Sequence, residues 1–290
     1  MYQTNSIFNN LRMLRFFPKL FLKTNSLPVY LVFFVTHRCI ADCAYCFDWR
    51  RRSGIRQEDE LSIDEIQKVS STIGPMFLLF LTGGEPFLRE DLSEIAKIFY
   101  LNNKILKYQI ASNGMFTEKI ISSLKQIAIS CPGAHTSLII SIDGVKDEHD
   151  RIRGVKGLFA NAMQTIKEIQ ELAEFYRNVD VNATITLSAY NKETAIDTYR
   201  YLTEKIGVRN VSVTLVRGKP KEPNSKAVEA ELYERLQNEI AEIIYGNKNI
   251  GYRGFCFATI ATYKDIYLRR IIANIIRNNR GYVPCAAGRL

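Results

Sequence analysis

Three cysteines fall within eight residues, in the segment Cys39-Ile40-Ala41-Asp42-Cys43-Ala44-Tyr45-Cys46. Three thiolates on one loop can ligate three corners of an iron–sulfur cluster and leave one iron open to a small molecule. The alternative is a structural zinc site, which takes four protein ligands and would recruit His37 as the fourth. The spacing favours iron–sulfur, because zinc knuckles pair C-x2-C units. Cys131, Cys256 and Cys285 are scattered. A secreted disulfide framework is short and cysteine-dense, and this chain of 290 residues is neither. The cluster therefore reads as metal-binding in a reducing, cytoplasmic setting.

The elements around these cysteines alternate regularly. Short apolar runs at 29–36, 77–81, 106–111, 137–142, 181–187 and 211–216 read as strands. Amphipathic stretches at 61–72, 91–101, 117–129, 158–177, 192–206 and 226–245 read as helices. Ser62 with Glu65 three residues on opens the first of them as a capping box. Six βα units with strands apolar throughout imply a parallel sheet covered on both faces. Periodicity alone leaves two closures open, a doubly wound sheet or a full or partial barrel. In either, ligands sit at the C-terminal ends of the strands, and the polar and glycine-rich motifs fall there, one after each of the first four strands.

Those motifs carry a resemblance. Thr82-Gly83-Gly84-Glu85-Pro86 follows the second strand, Ser112-Asn113-Gly114 the third and Ser141-Ile142-Asp143-Gly144 the fourth, with His149-Asp150-Arg151-Ile152-Arg153-Gly154 beyond it. Together with the C-x3-C-x2-C spacing and Tyr45 before its last cysteine, they resemble the radical S-adenosylmethionine superfamily. The order matches the branch that carries a C-terminal auxiliary-cluster (SPASM or twitch) domain. The resemblance spans residues 29 to 220. It implies an α/β fold, a partial (β/α)6 TIM-like barrel with parallel strands, followed by a C-terminal helical extension. It also implies an enzyme in which one 4Fe–4S cluster, held by Cys39, Cys43 and Cys46, reductively cleaves S-adenosylmethionine to a 5′-deoxyadenosyl radical that abstracts hydrogen from a substrate.

Roles follow from the resemblance residue by residue. Gly83 and Gly84, lacking side chains, let backbone approach the cofactor, and with Glu85 they are assigned to its amino group. Ser141 is assigned to the ribose or carboxylate and Arg153 to the carboxylate, which its planar fork suits. Ser112 and Asn113 are assigned to the cofactor site, Asn113 on the ribose, and Tyr45 to a place near the adenine. Each has a plainer reading: a Gly-Gly turn, an Asn-Gly turn, a surface arginine, a core tyrosine. Asp143 is read as capping a helix or bracing its loop, and the run Asp48-Trp49-Arg50-Arg51-Arg52 as a solvated loop. No residue stands out as a catalytic acid, base or radical relay. A peptide substrate is the first expectation, a cofactor or small-molecule pathway the second, and a zinc-stabilised binding module without catalysis the alternative of another class. An electron donor such as flavodoxin or ferredoxin is implied as partner.

Composition sets outer bounds. Hydrophobic residues make up 47% and charged ones 24%, which is a globular balance. The net charge of +9 suits an anionic partner but is common without one, and no nucleic acid is expected. The domain reading is a basic and aromatic N-terminal segment over 1–28, a barrel core over 29–246 and a C-terminal extension over 247–290. The N-terminal segment mixes Arg12, Arg15, Lys19 and Lys23 with bulky apolar residues, a pattern that fits a membrane interface or packing on the barrel, the latter favoured. The ending Val283-Pro284-Cys285-Ala286-Ala287-Gly288 resembles the opening of the auxiliary domain. One cysteine cannot hold a further cluster, so the expectation is a single cluster, a free Cys285 thiol and a reduced version of a longer architecture.

Overall fold

The computed structural model describes residues 29–52, 54–246 and 258–278. The N-terminal segment, Cys256 and Cys285 lie outside the described residues, so the readings made for them do too.

Six strands form one sheet: β1 (Tyr30–Thr36), β2 (Leu78–Gly83), β3 (Lys107–Ser112), β4 (His135–Ser141), β5 (Val179–Leu187) and β6 (Val211–Leu215). They lie in sequence order and every neighbouring pair is parallel. A doubly wound sheet reverses its strand order at a switch point. This one never does, and β1 and β6 are its two edges, which decides for the partial barrel. The helices are α1 (Trp49–Arg52), α2 (Ile63–Thr72), α3 (Leu92–Asn103), α4 (Thr117–Ser130), α5 (Asp147–Arg153), α6 (Leu158–Phe175), α7 (Ala195–Arg200), α8 (Ala230–Gly246) and α9 (Ala258–Asn278). No helix among the described residues is long and apolar enough to cross a membrane.

The core lies between the convex face of the sheet and the helices. Leu79, Leu81, Tyr108, Ile110, Leu138 and Ile140 are fully buried against Ile95, Phe99, Leu124 and Ile166. Burying one such side chain is worth about 1.5–3 kcal/mol. The strands are not apolar on both faces, as the sequence suggested. On β5 the buried Val179, Val181, Ala183, Ile185 and Leu187 alternate with Asp180, Asn182, Thr184 and Thr186. A barrel covers only its convex face with helices, so its concave face tolerates polar side chains.

Two local features set up the functional end. The capping box on α2 is present: Ser62 Oγ accepts from Glu65 N at 3.3 Å, and Glu65 returns an acceptor to Ser62 N at 2.8 Å. Nearer the site, the β1–β2 register shifts between Phe34 and Thr36. Such a bulge re-aims a strand end, and here it delivers Thr36 and the following cysteine loop onto the end of β2.

Candidate functional site

A cavity of about 200 Å³ opens at the C-terminal ends of the strands. Its wall brings together Cys39, Cys43, Cys46 and Tyr45 from the loop after β1, with Gly83 and Gly84 after β2. Ser112 and Asn113 reach it from β3, and Ser141 and Arg153 from β4 and α5. Of the sequence-derived candidates, only Glu85 is absent from the wall. Thr186, Thr214 and Arg217 line it as well, which periodicity did not reveal.

The cysteine loop is held by backbone contacts on three sides. Gly84 N donates to Thr36 O at 2.8 Å and Glu85 N to Arg38 O at 2.7 Å. Asp42 N donates to Arg153 O at 2.9 Å. After β6, Lys221 N donates to Cys46 O at 3.1 Å and Glu222 N to Ala44 O at 2.8 Å. The two sheet edges are thus bridged above the cavity. These contacts explain the glycines. A Cβ on Gly83 would lie 2.0 Å from Thr36 O, and one on Gly84 2.0 Å from Arg38 O. Gly83 also has φ +147°, a region that favours glycine. Their bare backbones admit the cysteine loop itself.

Glu85 is buried beneath the wall. Its Oε1 accepts from Ser112 Oγ at 2.9 Å and from Phe87 N at 3.3 Å, and its Oε2 accepts from Asn113 N at 2.7 Å. Burial raises its pKa to about 7 against the pull of these donors. It braces the loop after β2 against the loop after β3. Asn113 turns its Oδ1 to Met115 N at 2.9 Å, and its Nδ2 is buried with no hydrogen-bond partner among the described residues. A buried donor without a partner is costly, and this one sits in a residue that lines the cavity.

Asp143, fully buried, sits beneath Arg153 and Tyr45. Its Oδ2 accepts from Arg153 Nε at 2.6 Å and from the Tyr45 hydroxyl, while Oδ1 accepts from Thr186 N at 2.6 Å. The Arg153 guanidinium stands 5.7 Å from the Tyr45 ring centre. Burial works against the Arg153 charge, but the Asp143 carboxylate overrides it and holds the pKa well above the ordinary value. Burial drives the Tyr45 phenol well above its ordinary range. Tyr45 is therefore a buried strut with its hydroxyl spent, while Phe47, also on the wall, is 45% exposed. His149 Nδ1 accepts from Asp143 N at 3.0 Å, which fixes the tautomer with hydrogen on Nε2. Burial lowers its pKa to about 4.

Asp48 departs from the solvated-loop reading. It is 4% exposed, lines the cavity and accepts from His37 Nδ1 at 2.6 Å. Cys131 is buried at the end of α4, and burial raises its pKa. Among the described residues no three histidine, cysteine or carboxylate side chains converge on one ion position. A cluster spreads its thiolates over separate irons and needs no such convergence. Three thiols and an arginine around one cavity fit a cluster with a small polar ligand beside it.

Comparison with known proteins agrees with this geometry. The model of the Radical SAM superfamily matches residues 33–202. Fe-coproporphyrin III synthase of Methanosarcina barkeri (strain Fusaro / DSM 804) is 32% identical over 146 residues, covering 49% of this chain and 34% of that protein. The antilisterial bacteriocin subtilosin biosynthesis protein AlbA of Bacillus subtilis (strain 168) is 30% identical over 158 residues, covering 52% of this chain and 32% of that protein. The matched stretch thus spans about a third of each of these relatives. Among solved structures, anSMEcpe with bound AdoMet superposes with a TM-score of 0.58 at 18% identity, covering 77% of this chain and 62% of that one. At that identity the likeness is one of fold.

Proposed function

The chain belongs to the radical S-adenosylmethionine superfamily, and from that premise we propose that Cys39, Cys43 and Cys46 hold one 4Fe–4S cluster beside an S-adenosylmethionine site in the cavity. Bound there, the two groups supply reductive cleavage of a carbon–sulfur bond, yielding methionine and a 5′-deoxyadenosyl radical that takes hydrogen from a substrate. The chain's residues bind and orient. Arg153 takes the methionine carboxylate, Ser141 the carboxylate or the ribose, the backbone after β2 the amino group and Asn113 the ribose. Glu85 acts from behind the wall by fixing Ser112 and Asn113. The observation that carries this reading is the gathering of all these groups, from four separate strand ends, around a single cavity.

A peptide is the preferred substrate. AlbA, named for biosynthesis of a bacteriocin, and the sporulation killing factor maturation protein SkfB of Bacillus subtilis (strain 168), 26% identical over 174 residues, support it. Fe-coproporphyrin III synthase and the GTP 3′,8-cyclase of Mannheimia succiniciproducens, 26% identical over 166 residues, support the second reading, a cofactor pathway. A flavodoxin or ferredoxin would deliver the electron.

The test is anaerobic incubation of the reconstituted, dithionite-reduced protein with S-adenosylmethionine. Formation of 5′-deoxyadenosine is expected, and its absence from cluster-replete protein overturns the proposal. Deuterium transferred into 5′-deoxyadenosine from a labelled candidate peptide, and not from a labelled porphyrin or nucleotide, selects the first substrate class.

A further inference from the structure

Asp143 has no place on the cavity wall, yet it ties several parts of the site together. Its carboxylate is fully buried and reaches three elements at once: Arg153 at the end of α5, Tyr45 in the cysteine loop and the backbone of Thr186 in β5. Its main-chain oxygen accepts from Asn191 Nδ2 at 2.9 Å, and its main-chain nitrogen donates to His149. The residue is pinned from five directions and has no freedom of its own.

Arg153 is constrained in turn. Its Nε is spent on Asp143, one side of its guanidinium meets the Tyr45 ring, and its carbonyl accepts from Asp42 N in the cysteine loop. Among the described residues no protein hydrogen bond is made by its two Nη groups, and Arg153 lines the cavity at 8% exposure. A purely structural buried pair would satisfy the whole guanidinium inside the protein, because each orphaned donor is costly. Here half the fork is fixed and half is left for something in the cavity. Tyr45 lies between Cys43 and Cys46, so the carboxylate that aims the arginine also holds the loop that bears the three thiols.

Resting on the function proposed above, we infer that Asp143 is the positioning residue of the carboxylate site. It holds the free edge of Arg153 in register with the cysteine loop, through Tyr45, so that one rigid unit presents both the anion-binding group and the cluster. The cysteine loop keeps its own backbone contacts to the loops after β2 and β6, so loss of the Asp143 bonds is read in affinity for the carboxylate-bearing ligand and not in capture of iron.

The experiment compares wild type, Asp143→Asn and Tyr45→Phe after anaerobic reconstitution, without reductant. Iron and sulfide are measured first, then equilibrium dialysis against radiolabelled S-adenosylmethionine. Asparagine keeps the shape, but it must set an amide N–H against either Arg153 Nε or Thr186 N. Phenylalanine removes only the hydroxyl bond. The expected result is iron and sulfide at the wild-type level in both variants, with the dissociation constant raised at least 10-fold by Asp143→Asn and about 3-fold by Tyr45→Phe. Unchanged dissociation constants with the cluster intact overturn the inference. So does loss of iron from both variants, which would make the network a support for the cluster loop alone. If Asp143→Asn fails to fold, Tyr45→Phe decides, and an unchanged constant there refutes the inference. Wild type that holds a cluster and binds no S-adenosylmethionine refutes the proposed function instead.

Discussion

Replacing Glu85 with glutamine should remove one particular pH dependence of stability. Burial raises the Glu85 pKa from 4.5 to about 7 in the folded chain. Between those values the folded state binds a proton that the unfolded state has released, so stability falls as pH rises across that window. The contribution is fully present below about pH 4.5 and lost as pH passes through about 7. A shift of that size corresponds to about 3 kcal/mol, at about 1.4 kcal/mol per pKa unit. Glutamine cannot titrate; it can still accept from Asn113 N and donate to Ser112 Oγ, and the bond from Phe87 N that it loses is an offset independent of pH. The assay is urea denaturation of metal-free wild type and Glu85→Gln, anaerobically, at half-unit steps from pH 5 to pH 8. The wild-type stability minus that of the variant should fall by about 2–3 kcal/mol over this range. Every other titrating group is common to both proteins and cancels in the difference. A flat difference would show that the three donors fully offset the desolvation of the carboxylate, and the reasoning would fail.

His149 works in the opposite sense. Its pKa is lowered to about 4 by burial, so its contribution is whole above about pH 6.5 and is lost as pH falls through about 4. His149→Gln should erase about 3 kcal/mol of acid sensitivity in the same denaturation series, and an unchanged acid limb would refute this. Gly84→Ala would set a Cβ 2.0 Å from Arg38 O. It should lower the thermal midpoint and reduce iron uptake on reconstitution, so normal uptake would contradict the docking role given to that glycine. Arg153→Ala should weaken S-adenosylmethionine binding by about 1.5–3 kcal/mol, the worth of hydrogen bonds to a charged group; equal affinity by dialysis would remove Arg153 from the carboxylate site.

The barrel was legible because its strands and helices differ in period, and the cysteine loop because three thiols at that spacing have few uses. Other parts were hidden for physical reasons. Helix α5 (Asp-Glu-His-Asp-Arg-Ile-Arg) has a single apolar residue, Ile152, so no amphipathic stripe announces it. The plain reading of Arg153 is therefore a surface arginine, although it ends a helix, where a cation complements the helix dipole, and is buried. The polar residues of β5 were invisible while the strands were taken as apolar on both faces. The two glycines read as a place where the cofactor comes close, and in the folded chain the carbonyls of Thr36 and Arg38 approach them. Glu85 and Tyr45 read as ligand-facing by motif. Their side-chain groups turn inward because a network over long sequence separations, through Ser112 and Asp143, claims them. No periodicity encodes such pairings.

Every role proposed for the cavity requires that Cys39, Cys43 and Cys46 hold one iron–sulfur cluster. Metal and sulfide analysis of the anaerobically reconstituted protein and of the Cys39→Ala, Cys43→Ala, Cys46→Ala triple variant decides whether they do. About four irons and four acid-labile sulfides per wild-type chain, and none in the triple variant, is the predicted result. Stoichiometric zinc without sulfide in the wild type, or cluster-level iron retained in the triple variant, would contradict it.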